Sequence, residues 1–277
     1  MKDKRTIEEL LGLYLTGYSS RQISEFNGKD LQEDKALLAK ARQILKRQND
    51  AGVITLSRHD PDYPARLLRI GPDAPPLVHL SGNRDLLHAG KCVAIVGTRY
   101  ADRSGLNAAY RLAQQFASDG YVIVSGLALG CDTAAHRGCL DAGGKTIAIV
   151  ASGLNITHPK VNKALQDEII QTGGAILSEH PFGVKANPTR LVARCRLQAA
   201  FSQTLIVAQC PIISGTMYAV RFAREYSGCI EGWEQQIYAV DYDRQNELNS
   251  GNKFLLDYSL AMPIRLSGDS LIITGSL

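Results

Sequence analysis

Residues 91–104 read KCVAIVGTRYADRS, and the fold turns on that stretch. An apolar run, 92–96, stops at Gly97-Thr98-Arg99, and a helix-like pattern follows. A short apolar run bounded by a turn signal reads as a buried strand. A strand that ends in a small-residue turn before a helix is where open α/β folds place phosphate groups, because backbone N–H groups and the positive end of the helix face the anion. Here the turn carries an arginine as well. The stretch predicts an anion site, with phosphate the first candidate.

Working outward, the same alternation repeats. Strands are predicted at 93–96, 121–125, 146–150, 175–178, 204–208 and 237–240, with helical patterns between them. Within 104–118, Leu106, Ala109, Leu112, Ala113, Phe116 and Ala117 form one apolar stripe. Continuous apolar strands alternating with amphipathic helices imply an α/β fold with a parallel sheet covered on both faces. The expectation is a doubly wound, mostly parallel Rossmann-like sheet from about 90 to 245, with binding groups beyond the carboxyl ends of the strands. Those ends carry Gly97-Thr98-Arg99, Ser125-Gly126, Ser152-Gly153, Ser178-Glu179-His180 and Ser214-Gly215-Thr216.

Upstream, 1–50 reads as a small helical module. Thr6 and Glu9 fit a capping box, and further helices are expected at 20–26 and 31–48. It packs on the main domain or on a partner, or offers a helix hairpin to nucleic acid. Residues 51–90 hold Pro61, Pro64, Pro72, Pro75 and Pro76, which break helices and favour a connecting region with short strands at 53–56 and 77–80. The main domain is then 91–277.

Composition narrows the function classes. The chain has 277 residues, 45% hydrophobic and 21% charged, with a net charge of +4. A core of this size needs no disulfide or metal staple. The mild basic excess permits a nucleic-acid partner without demanding one. The six cysteines form no CxxC pair and sit largely in apolar runs, which reads as buried, reduced thiols in a cytoplasmic protein. Neither a signal peptide nor a membrane-spanning run is evident.

Several chemistries are disfavoured by missing motifs. GxGxxG does not follow the first strand, so no dinucleotide cofactor is expected; GxxxxGK[ST] and GxSxG are absent too. Asp132 and His136, four residues apart, share a helical face and fit either an acid–base pair or a cap with a packed histidine. Arg99, Arg137, Lys145, Arg194 and Arg196 are expected to converge above the carboxyl edge as a phosphate track.

Taken together, VAIVGTR, SGLALGCDTAAHRGCLDAGGKTIAI, SGLN with His158-Pro159 and Asn162, SEHP, LVARCRLQAAFS and SGTMYAVRFA, in that order, resemble the DprA/Smf DNA-processing family over roughly 60–261. The resemblance implies a non-enzymatic, dimeric protein that binds single-stranded DNA and helps load the RecA recombinase during natural transformation. It implies that Arg99 contacts a DNA phosphate and that the basic pocket continues through Lys145, Arg194 and Arg196. Gly97, Thr98, Ser125, Gly126, Asn162, Ser214, Gly215 and Thr216 complete the expected site. The family's RNR triplet reads Arg194-Cys195-Arg196 here, Leu129 replaces a basic residue, and 230–236 looks like an insertion. Two other readings stand beside this one. The sheet also resembles LOG-type nucleotide phosphoribohydrolases, but Met217 and Tyr218 stand where that family has its glutamate, leaving Glu179 as the remaining carboxylate. A nucleotide-binding sensor, in a mobile-element or defence setting, is the other.

Overall fold

The computed structural model describes residues 5–26, 34–229, 234–267 and 270–273. Its strands are β1 (Ile54–Ser57), β2 (Leu77–Gly82), β3 (Cys92–Val96), β4 (Val122–Ser125), β5 (Thr146–Val150), β6 (Ala175–Ser178), β7 (Thr204–Val207), β8 (Gln236–Val240), β9 (Met262–Ser267) and β10 (Ser270–Ile273). They form one sheet in the order β1-β2-β6-β5-β4-β3-β7-β8-β9-β10. Neighbours from β6 through to β9 pair parallel. The β1–β2, β2–β6 and β9–β10 pairs are antiparallel. The doubly wound α/β sheet expected from the strand–helix alternation therefore forms.

The helices are α1 (Ile7–Leu15), α2 (Ser20–Glu25), α3 (Lys35–Asp50), α4 (Ala65–Leu68), α5 (Arg103–Ser118), α6 (Cys131–Asp141), α7 (Lys163–Gln171), α8 (Pro188–Phe201), α9 (Thr216–Cys229) and α10 (Ser250–Asp257). Side chains alternate across a strand, and both faces of this sheet are apolar. Ala94, Val96, Val124, Ile149 and Val207 join Leu197 and Ala200 of α8 and Val220 of α9 in one core. Val93, Ile95, Ile123 and Ile206 join Ala109, Leu112 and Phe116 of α5 and Ala135 of α6 in the other. Leu106, assigned to the α5 stripe from sequence, lies in the first turn and is 39% exposed, while Ala108 is buried.

Residues 51–90 are more than a connection. β2 pairs with β6 in the register His79↔Ser178 and Leu80↔Leu177, so this segment extends the main sheet by two strands. The N-terminal helices pack Leu10, Leu11, Leu13, Ile23 and Ala41 around Leu77 of β2. Of the expected helix at 31–48, positions 31–33 lie outside the described residues, as do 230–233 of the insertion.

The chain order diverges at β3. From β3 the chain steps to β4, β5 and β6 on one side, then crosses back to place β7 on the other flank of β3. Such a switch point opens a crevice beyond the carboxyl ends of the two diverging strands, because their connections leave in opposite directions.

Candidate functional site

A cleft of about 440 Å³ lies at that switch point, lined by the turn after β3, the loops after β4 and β7, and the first turns of α6, α8 and α9. The turn after β3 is locked from below. Thr98 donates its N–H to Gln209 O (2.7 Å), and its carbonyl accepts from Cys131 N (3.1 Å). A Cβ on Gly97 would meet Cys131 Cβ at 2.6 Å. Gly130, at φ +71°, brings the start of α6 under the Thr98 and Arg99 carbonyls, where a side chain would collide. Glycine is required at both places for the helix end to approach the turn.

Arg99 and Tyr100 project from this turn and are exposed; Tyr100 is 81% exposed. Arg99 takes part in none of the ion pairs among the described residues. The starts of α6, α8 and α9 border the cleft, and the positive ends of their dipoles point toward it. Ser214, Gly215 and Thr216, where α9 begins, also line the cleft. Of the residues singled out in the sequence, Gly97, Thr98, Arg99, Arg194, Ser214, Gly215 and Thr216 line this one cleft.

Other expected members sit elsewhere. Lys145 directly precedes β5, so it lies at the amino edge of the parallel sheet, and its ammonium donates to Thr172 O. Arg137 pairs with Glu168. Arg196 is buried and points away from the cleft. It holds Glu179 through two bonds (2.7 and 2.6 Å), donates to Asp73 O (3.0 Å) and Ala193 O (2.9 Å), and reaches Ser20 of α2. Burial pushes the Glu179 carboxyl up, but the Arg196 charge and its hydrogen bonds outweigh this and hold it at about 2. Beside this clasp, Tyr14 OH bonds His180 Nδ1 (2.8 Å), and Gln48 Oε1 accepts from Phe182 N (2.8 Å). The N-terminal module is thereby fastened to the β6 end of the sheet, as the packing alternative required.

Ser125 and Asn162 are braces. Ser125 Oγ donates to Ile95 O (2.8 Å), joining β4 to β3. Asn162 Nδ2 bonds Leu127 O (2.8 Å) and Thr133 Oγ1 (2.9 Å). Leu127 has φ +59°, an uncommon conformation for a branched side chain, so the loop after β4 depends on such ties. His136 supplies another. It is fully buried, its Nε2 accepts from Leu127 N (3.3 Å), and its Nδ1 bonds Thr146 Oγ1 (2.7 Å), whose own hydroxyl donates to Ile123 O. That network assigns a neutral Nδ1–H imidazole, and burial, aided by Arg194, holds its pKa at about 3. The acid–base pairing with Asp132 is not formed.

Asp132 does something sequence reasoning missed: it lines the cleft. Its Oδ2 accepts from Ala128 N (3.3 Å) and stands 3.8 Å from Arg194 Nη1. Burial raises its pKa, opposed by the nearby Arg194 charge. Arg194 donates Nη1 to Ile149 O (3.1 Å), and Gln198, with its amide oriented to suit, accepts from both Arg194 Nη1 and Gly126 N. A Cβ on Gly126 would overlap the guanidinium, so a side chain there would have to displace Arg194. Leu191, Val192, Cys195 and Ile213 supply apolar wall. Burial pushes the Cys195 thiol up, and Cys92, Cys131, Cys139 and Cys210 are likewise free and buried. No signal in the sequence distinguishes a cleft-lining aspartate from a helix cap.

Among the described residues no cluster of three or more His, Cys, Asp or Glu is placed to hold a metal, and no helix is long and apolar enough to cross a membrane.

The family model for DNA recombination-mediator protein A matches residues 54–272. Protein Smf from Synechocystis sp. is 36% identical over 188 residues, covering 67% of this chain and 47% of its own length. The chain spans about half the length of the curated relatives it matches. The crystal structure of DNA processing protein A from Streptococcus pneumoniae superposes with a TM-score of 0.72 at 28% identity, over 95% of this chain and 91% of that one. DNA processing protein A from Helicobacter pylori, described for its single-stranded DNA binding mode, gives 0.65 at 30% identity, over 76% of this chain and 90% of that one.

Proposed function

This chain belongs to the DNA recombination-mediator protein A family, the DprA/Smf proteins, and on that footing we propose that it binds single-stranded DNA across the switch-point cleft in the processing of DNA for recombination and uptake. The observation that carries the reading is Arg99. It is an exposed guanidinium outside every ion pair among the described residues, fixed on a rigid turn beside three helix starts that face the same cleft. Phosphate contacts of this kind supply affinity without sequence preference and make binding salt-dependent. Tyr100 at the mouth offers a ring on which a base can stack. Loading of RecA, a homodimer and a cytoplasmic setting belong to the same proposal and rest on family membership.

A binding role fits better than the phosphoribohydrolase reading. Such chemistry needs a carboxylate free to meet a developing oxocarbenium ion. Glu179 is closed into a bidentate pair with Arg196, and the α9 start offers Met217 and Tyr218 instead.

The test is a fluorescence-anisotropy titration of a labelled dT oligonucleotide at two salt concentrations. Arg99→Ala is expected to weaken binding on the order of ten-fold and to lower the salt slope by about one phosphate's worth. An unchanged affinity and slope would overturn the assignment.

A further inference from the structure

Helix α3 fastens the N-terminal module with one side only. Ala41 enters the core shared with α1, and Ile44 and Leu45 pack against it. Gln48 is buried on the same side, where its amide bonds His79 Nδ1 (3.0 Å) and Thr55 Oγ1 of β1 (2.9 Å). At 3.6 residues per turn, these four fall within an arc of about 100°. The opposite arc carries Lys35, Lys40, Arg42, Lys46 and Arg47, all exposed.

That face is unlike other charged helix surfaces of the protein. Lys163 of α7 pairs with Asp167, and Lys253 of α10 with Asp257. On α3, Lys46 pairs with Asp50 in the same way, but Lys35, Lys40, Arg42 and Arg47 belong to none of the ion pairs among the described residues. No acidic residue lies between Asp34 and Asp50. The chain has 31 basic and 27 acidic residues; with these five set aside, 26 basic stand against 27 acidic. The whole basic excess of the protein is therefore on this one helix face. A row of cations without neighbouring carboxylates favours a polyanion, whose binding releases condensed counterions.

The face also stands at the right edge of the sheet. Gln48 Oε1 accepts from Phe182 N in the loop after β6, so the last turn of α3 lies at the carboxyl edge, as the cleft does. From β3 to β1 the sheet runs through five strand spacings, about 24 Å at about 4.8 Å each. We propose that the exposed face of α3 is a second phosphate-binding surface, which takes the single strand where it leaves the cleft along the carboxyl edge. The proposal rests on the cleft being the single-strand site. A strand already held there presents its next phosphates to α3 at high effective concentration, and α3 lengthens the footprint without adding sequence preference.

The combined variant Lys35→Gln, Lys40→Gln, Arg42→Gln and Arg47→Gln removes the cations outside ion pairs and leaves the apolar side and the Lys46–Asp50 pair in place. Glutamine is a good helix former, so the module is expected to stay folded. Anisotropy titrations of the full chain use dT strands of about four and about thirty nucleotides, the shorter one by competition. The variant should bind the shorter strand within about two-fold of the native chain and the longer one on the order of ten-fold more weakly, with a salt slope lower by about two to three. Arg99→Ala should weaken both lengths. Unchanged binding of the longer strand by the α3 variant, with Arg99→Ala still weakening both, overturns the α3 surface and leaves the cleft reading intact. No effect of Arg99→Ala on either length overturns the cleft reading and the continuation with it. An equal loss at both lengths assigns the effect to the fold and overturns direct contact. Native affinity for the longer strand with lost binding to phosphatidylglycerol–phosphatidylcholine vesicles assigns the face to an anionic membrane surface and overturns the strand assignment.

Discussion

Glu179→Ala tests whether Arg196 is a clasp or a DNA contact. In the native chain Arg196 gives two charge-assisted bonds to Glu179 and two bonds to the Asp73 and Ala193 carbonyls, with both ionic side chains 10% exposed or less. Removing the carboxylate leaves a buried guanidinium whose remaining acceptors are neutral. Breaking a buried pair by removing one partner costs about 3–5 kcal/mol. Because two carbonyls still serve Arg196, a value near 3 kcal/mol is expected. With an unfolding entropy of about 2.1 cal/mol/K per residue over 277 residues, that lowers Tm by about 5 °C. The double change Glu179→Met with Arg196→Met removes both charges at similar volume, and such replacements are about neutral or stabilising. Scanning calorimetry at pH 7 reads both, and the cycle isolates the coupling between the two residues. Single-strand affinity of the double variant should match that of the unaltered chain. A single variant within 1 kcal/mol of the native stability, or a double variant that folds but loses DNA binding, refutes the clasp.

Stability should also fall as the solution is acidified from neutrality. His79 and His136 are both buried, and burial holds each at about 3, against an ordinary 6.5. The unfolded chain therefore takes up protons first: the contribution is complete above pH 6.5 and is lost as pH falls toward 3. Two such groups cost about 4 kcal/mol between pH 7 and 5, readable as a drop in the urea midpoint; a flat profile over that range would contradict their burial. Asn162→Ala removes the tie on the strained Leu127 loop and should destabilise by about 1–3 kcal/mol, measured by urea unfolding, with a loss under 0.5 kcal/mol showing that the loop holds itself. Lys145→Ala, at the amino edge of the sheet, should leave the affinity for dT oligonucleotides within two-fold; a ten-fold loss would place the strand on the opposite edge from the one argued above.

What the sequence determined by itself is the scaffold and the place of the turn that carries Arg99. Apolar runs such as 92–96 and 146–150 are buried on both faces, and that alone forces a parallel sheet with helices on either side. Gly97 and Gly130 announce a close approach of turn and helix, and Arg99 follows directly from them. Lys145 was misplaced in the track, although its position directly before a parallel strand sets it at the amino edge of the sheet. Other assignments needed the tertiary structure. Arg194 and Arg196 flank Cys195 in one motif, yet residues two apart on a helix are about 200° apart around its axis, so one guanidinium lines the cleft and the other meets Glu179 and the N-terminal module. Asp132 and Asn162 look alike as polar residues near helix starts; only the arrangement of the loop after β4 makes one a wall of the cleft and the other its brace. The sequence carries local periodicity, which sets elements, while the division of polar residues between ligand and scaffold depends on which elements the switch between β3 and β7 brings face to face.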